Sequence, residues 1–188
     1  IRKNGGDILH SFFLFESRGL LMKKKVIAVI AVLALVVLVR SCLLPVTVSG
    51  TSMESTLQDG EFAIMSRDFS VIKRFDIVVL SSETLKETII KRVIGLPGET
   101  IEYKNDKLYV NGKYVKETFL DQSFKEQKKR EMESPLFTNN FKVTLKKGEY
   151  YVLGDNRLNS VDSRALGTFT IKDFKARGGI ILYPFNKM

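Results

Sequence analysis

The order of apolar and polar positions divides the chain in two. Met22-Lys23-Lys24-Lys25 leads into an uninterrupted aliphatic run, Val26 to Val39. At about 1.5 Å per residue that run falls short of a hydrocarbon core of about 30 Å. Continuing it through Arg40-Ser41-Cys42-Leu43-Leu44-Pro45-Val46 makes it long enough, with Arg40 snorkelling to the outer interface. The pattern predicts one transmembrane anchor over residues 22–46. The lysines before it predict a cytoplasmic N-terminus and an extracytoplasmic remainder. A cleaved secretory signal and a lipoprotein signal ending at Cys42 are the alternatives. Val39-Arg40-Ser41 offers no small-x-small cleavage site, and Arg40 stands two residues before the cysteine. Residues 1–21 start with Ile, whereas Met22 resembles a natural start. They are read as a non-native or misread extension without function; their Phe12-Phe13-Leu14-Phe15 is too short to span.

Beyond Val46 the period shortens to that of strands. Glu61–Ser66, Asp76–Leu80, Glu87–Ile94, Thr100–Tyr103, Lys107–Val110, Lys113–Val115, Phe141–Leu145, Glu149–Leu153 and Gly179–Tyr183 are short β-rich runs. Asn111-Gly112 between two of them signals a type I′ hairpin, because both turn positions need positive φ. Ser123 to Glu133 is highly charged with helical composition, and residues 117–141 are read as a variable excursion, a small subdomain or a flexible loop. The predicted class is mainly β, with antiparallel sheets forming a partial barrel or sandwich over residues 47–188, behind one N-terminal transmembrane helix.

Composition narrows the chemistry. The net charge of +9 points to nucleic acid or an anionic membrane surface. The basic residues are dispersed, with no zinc-finger spacing or RNA-binding aromatic signature, so no nucleic-acid partner is expected. Cys42 is the only cysteine and His10 the only histidine. An internal disulfide is excluded, and the usual zinc ligand set cannot be assembled, so no metal is expected.

His10 precedes the span, which would separate it from Ser52 in Ser49-Gly50-Thr51-Ser52-Met53. A serine nucleophile there needs another base, and Lys91 in Thr88-Ile89-Ile90-Lys91-Arg92-Val93-Ile94-Gly95 is the candidate. A lysine acts as a base only when neutral, and apolar surroundings lower its ordinary pKa of about 10.4. Ile89, Ile90, Val93 and Ile94 flank Lys91, and strand alternation turns Arg92 to the opposite face. Taken singly, Lys91 also reads as a solvent-facing strand lysine and Ser52 as a turn serine. The third element is Gly154-Asp155-Asn156-Arg157-Leu158-Asn159-Ser160-Val161-Asp162-Ser163-Arg164, otherwise a polar loop. Asp162 and Arg164 suit a bidentate pair, and Ser160 is able to orient the lysine amine.

At these three places the chain resembles the type I bacterial signal peptidases, in their Gram-positive form. Ser49 to Leu57 resembles that family's nucleophile motif, Ile90 to Glu99 its lysine motif, and Gly154 to Arg164 its third box, including Asp155 and Asn156. The likeness covers roughly residues 22–188. It implies a serine–lysine endopeptidase that removes signal peptides from exported preproteins at the outer face of the plasma membrane. Ser52 would be the nucleophile and Lys91 the general base. Ser160 would hydrogen-bond the lysine, Asp162 would pair with Arg164, and the Ser52 N–H would be an oxyanion donor. Val48, Met53, Leu57, Ile89 and Ile90 would line the substrate pockets. Signal peptides and the lipid bilayer are the implied partners; no cofactor is implied, and a monomer is expected. Two positions depart from the family pattern. Gly50 replaces a serine that donates to the oxyanion in some relatives, and Ser55 replaces the usual proline.

Overall fold

The computed structural model describes residues 5–183, with side chains for residues 22–182. The suggested extension over residues 1–21 lies outside the described side chains. The chain divides into two units, Ile1–Cys42 and Leu43–Met188.

The first unit is a helix, α1, Gly5–Cys42. Its stretch Met22–Cys42, 21 residues, is long and apolar enough to cross a membrane, and no part of that window is buried against protein. At about 1.5 Å per residue it reaches the required thickness without Leu43 to Val46. The expectation that the span runs on to Val46 is corrected: the helix ends at Cys42, and Leu43–Thr47 forms strand β1. Pro45 lacks an N–H, which an edge strand tolerates and a continuing helix does not.

The second unit contains two antiparallel sheets. The strands are β2 Phe62–Ser66, β3 Ile77–Ser82, β4 Glu87–Gly95, β5 Thr100–Lys104, β6 Lys107–Val110, β7 Lys113–Val115, β8 Phe141–Thr144, β9 Glu149–Leu153, β10 Phe169–Thr170 and β11 Phe174–Tyr183. Seven form one sheet in the order β1-β2-β11-β3-β4-β9-β10, and four form the other in the order β7-β6-β5-β8. The small sheet packs through Ile101, Tyr103, Leu108 and Val110 onto Ile94, Tyr151 and Leu153 of the large one. Asn111 and Gly112 have φ of 50° and 77°, as the hairpin between β6 and β7 requires.

The segment between β7 and β8 is ordered around helix α2, Gln122–Glu131, whose N-cap Asp121 accepts from the Ser123 N–H. Phe137 is fully buried and packs edge-on to Phe124. Glu117 accepts from Arg157 in a buried ion pair. These contacts tie the segment to the third sequence box.

What positions the site is the register of β4. Glu87 to Arg92 pair with β3, whereas β9 pairs only from Arg92 onward. The edge of β4 from Glu87 to Lys91 that faces away from β3 is therefore left without a strand partner.

Candidate active site

Ser52 sits in a turn that follows β1. Main-chain bonds from Glu54 N–H to the Thr51 carbonyl and from Leu57 N–H to the Met53 carbonyl close it. Val48, Met53 and Leu57 bury their side chains together beneath it. Ser55, in the same turn, has φ of 88°, a left-handed conformation that a serine rarely adopts. Lys91 projects from β4, and its Nζ lies 2.7 Å from Ser52 Oγ. The two residues are 39 positions apart in sequence, and the β3–β4 ladder brings the lysine to the turn.

Lys91 is 3% exposed. Burial pushes its pKa down from 10.5 to about 8; Asp162 and Asp155 oppose that shift, and Arg164 assists it. Desolvation outweighs the two carboxylates because neither forms a hydrogen bond with the ammonium.

The third box lies against the nucleophile turn. Asn156 N–H donates to the Ser52 carbonyl at 3.0 Å. Its amide also donates to the Thr51 carbonyl and to Glu54 Oε2. Asn159 reaches Thr51 Oγ1. Gly154 is packed so tightly that a Cβ there would come 2.5 Å from the Ser52 carbonyl oxygen and closer still to Ser160 Oγ. The predicted bidentate pair is present: Arg164 Nε and Nη2 each donate to an Asp162 oxygen at 2.8 Å. Asp162 also accepts from Gly154 N–H at 3.0 Å.

Two expectations change. Ser160 does not hydrogen-bond Lys91; its hydroxyl is buried without a hydrogen-bond partner, pressed against Gly154. Leu57 does not line the cleft beside Ser52. That cleft, about 280 Å³, is bounded by Val48, Met53, Ile89 and Ile90 together with Ser52 and Lys91. The bond from Leu57 N–H to the Met53 carbonyl winds the chain one turn on, so Leu57 faces a separate cavity with Met65 and Ile181.

Arg92 was placed only as the residue facing away from Lys91. It is 6% exposed and binds Asp155 with both Nε and Nη2, at 2.8 and 2.6 Å. It also donates to the Phe75 carbonyl and Thr56 Oγ1 and lies 4.0 Å over the Phe119 ring. Asp155 thus locks the third box to β4, one residue from the lysine. A second charged residue, next to Lys91 in the buried half of β4, is the sequence signal for a buried pair.

Among the described residues, no group of three or more His, Cys, Asp or Glu could hold a metal. A serine hydroxyl, a desolvated amine and an adjoining cleft of mixed polar and aliphatic lining are together suited to nucleophilic acyl transfer.

A family model described as signal peptidase, peptidase S26, matches residues 21–183. A signal peptidase I of Bacillus amyloliquefaciens is 41% identical over 167 residues, which is 86% of this chain and 85% of that one. Signal peptidase I P of Bacillus subtilis subsp. natto is 43% identical over 171 residues, covering 86% and 89%. The crystal structure of a signal peptidase I from Enterococcus faecalis V583 is 36% identical with a TM-score of 0.50, covering 56% of this chain and 95% of that one. The chain belongs to the signal peptidase family, peptidase S26.

Proposed function

We propose that this chain is a membrane-anchored serine endopeptidase that removes N-terminal signal peptides from exported preproteins. The observation that carries the mechanism is the 2.7 Å approach of Lys91 Nζ to Ser52 Oγ in a cleft that Val48, Met53, Ile89 and Ile90 also line. When Lys91 is neutral its lone pair accepts the Ser52 proton, and Ser52 Oγ attacks the scissile carbonyl carbon. The Ser52 N–H donates to the developing oxyanion; Gly50 has no side chain to add a second donor. Lys91 then passes its proton to the leaving amine, leaving an acyl group on Ser52. It next takes a proton from the water that releases the acid.

The substrate lies extended along the unpaired edge of β4, Glu87 to Lys91, in the manner of an added strand. Val48, Met53, Ile89 and Ile90 leave room for small side chains at the first and third positions before the cut. Asp162, Arg164, Asp155, Asn156 and Gly154 hold the nucleophile turn against β4 and do not touch the substrate. Residues 22–42 anchor the chain, and residues 43–188 form the peptidase domain. The lysines at 23–25 support a cytoplasmic N-terminus and an extracytoplasmic peptidase domain at the plasma membrane, where signal peptides are held.

The test is incubation of the full chain in non-ionic detergent with a preprotein carrying an Ala-x-Ala site. Mass spectrometry should find a mature chain beginning immediately after the second alanine. An intact preprotein, or a cut elsewhere, overturns the proposal.

A further inference from the structure

The cleft has one charged wall residue besides Lys91. Glu87 begins β4, is exposed and lines the same cleft as Ser52 and Ile90. Its carboxylate has no hydrogen bond or ion pair among the described residues, unlike Glu54, Glu99 and Glu117, each of which has a cationic partner. Lys86 precedes Glu87 in the chain without an ion pair to it, and Lys175 on β11 donates instead to Thr88 Oγ1. Thr88 is the next residue along and lines the same cleft, yet no ion pair joins Lys175 to Glu87. Glu87 therefore presents an uncommitted negative charge on the face of β4 that also carries Lys91.

Its distance from the chemistry is fixed by the strand. Four residues at about 3.3 Å each separate Glu87 from Lys91, about 13 Å along the cleft. A substrate paired with this edge advances at the same rise. The residue beside Glu87 is then four or five places before the scissile bond, beyond the small side chains that fill the apolar part of the cleft.

We infer that Glu87 selects substrates by charge, favouring a cationic side chain four or five residues before the cut and disfavouring an anionic one. This rests on the peptidase reading above. It narrows the substrate class to export signals whose segment just before the cut is neutral or basic. The contact is exposed, so discrimination is modest: pairs of this kind change rates by about two- to fivefold and weaken with salt.

The test uses the full chain in non-ionic detergent with Ala-x-Ala peptides that carry Lys, Gln or Glu at the fourth or fifth position before the cut. Ratios of kcat/KM are taken within each enzyme, so any loss of folded protein cancels. Wild type should prefer Lys over Glu about fivefold at low salt, and less at 1 M salt. Glu87→Gln should flatten the ratio, and Glu87→Lys should invert it. The same ratio in all three enzymes, or a ratio insensitive to salt, overturns the inference. Failure of wild type to cut even the Gln peptide would instead overturn the peptidase reading on which it rests.

Discussion

Lys91 Nζ and Ser52 Oγ meet at 2.7 Å although the lysine side chain is almost wholly buried. Burial and contact have opposite consequences, since a buried ammonium destabilises the fold while a neutral amine beside a hydroxyl can activate it. The pKa of Lys91, about 8, implies that the ammonium predominates at neutral pH. The rate of cleavage should rise with pH, tenfold per unit well below pH 8, and level off above it. A kcat/KM profile from pH 5 to 10 checks this; a rate independent of pH across 6 to 8 would exclude a lysine base.

The same pKa makes a stability prediction in which stability, like the rate, rises with pH. Between about pH 8 and 10.5 the unfolded chain holds a proton on this lysine that the folded chain has released, so stability rises with pH through that window. Below about pH 8 the full penalty is present. Lys91→Met removes it and should stabilise the domain at pH 7 by about 3 kcal/mol while abolishing cleavage. Urea denaturation of both proteins at pH 7 and pH 10 checks this, and the difference between them should shrink at the higher pH.

Asp155 is fully buried and its partner Arg92 nearly so, whereas Arg164 keeps a fifth of its side chain in solvent. Asp155→Ala leaves an uncompensated guanidinium inside the protein, at about 3–5 kcal/mol. Arg164→Ala should cost less, because Asp162 keeps its bonds to the Gly154 and Arg164 N–H groups. Chemical denaturation of the two variants should rank them in that order.

Ser55 stands where relatives of the resembled type carry proline, but its φ of 88° lies far outside the proline range near −65°. Ser55→Pro should therefore distort the nucleophile turn and lower both Tm and kcat. Ser55→Gly relieves the left-handed strain and should leave stability unchanged or raise it by up to about 1 kcal/mol. Thermal melts of the two variants check this, and a stabilised Ser55→Pro protein would contradict the turn geometry.

Lys128 on α2 sits 3.1 Å from Glu54, which also accepts from the Asn156 amide. The charged excursion is thus joined to the nucleophile turn through a partly exposed pair. A double-mutant cycle of Lys128→Ala and Glu54→Gln, read as kcat, should give a coupling of about 0.2–1 kcal/mol. Coupling indistinguishable from zero would make α2 a bystander.

Much of this was legible in the sequence because the elements are locally encoded. Alternation in Glu149–Leu153 and the Asn111-Gly112 turn predict their strands and hairpin without reference to anything distant. Asn105 and Asp106 form a second turn with positive φ, at 50° and 61°, that the less distinctive Asn-Asp pair did not announce. β1 was hidden because Leu43 to Val46 continue an apolar run, and only their pairing with Ala63 to Ser66 makes them a strand. Ser52, Lys91 and the Asp162–Arg164 pair could be named in advance from chemistry and resemblance. The Arg92–Asp155 and Arg157–Glu117 pairs could not, since they join residues 63 and 40 positions apart that no local pattern connects.

The most direct test of the account is cleavage of one Ala-x-Ala preprotein by wild type, Ser52→Ala and Lys91→Ala at pH 9, with folding of each verified by thermal melt. The account predicts processing by wild type alone, with both variants folded and inactive. Processing by a folded Ser52→Ala or Lys91→Ala protein would contradict it.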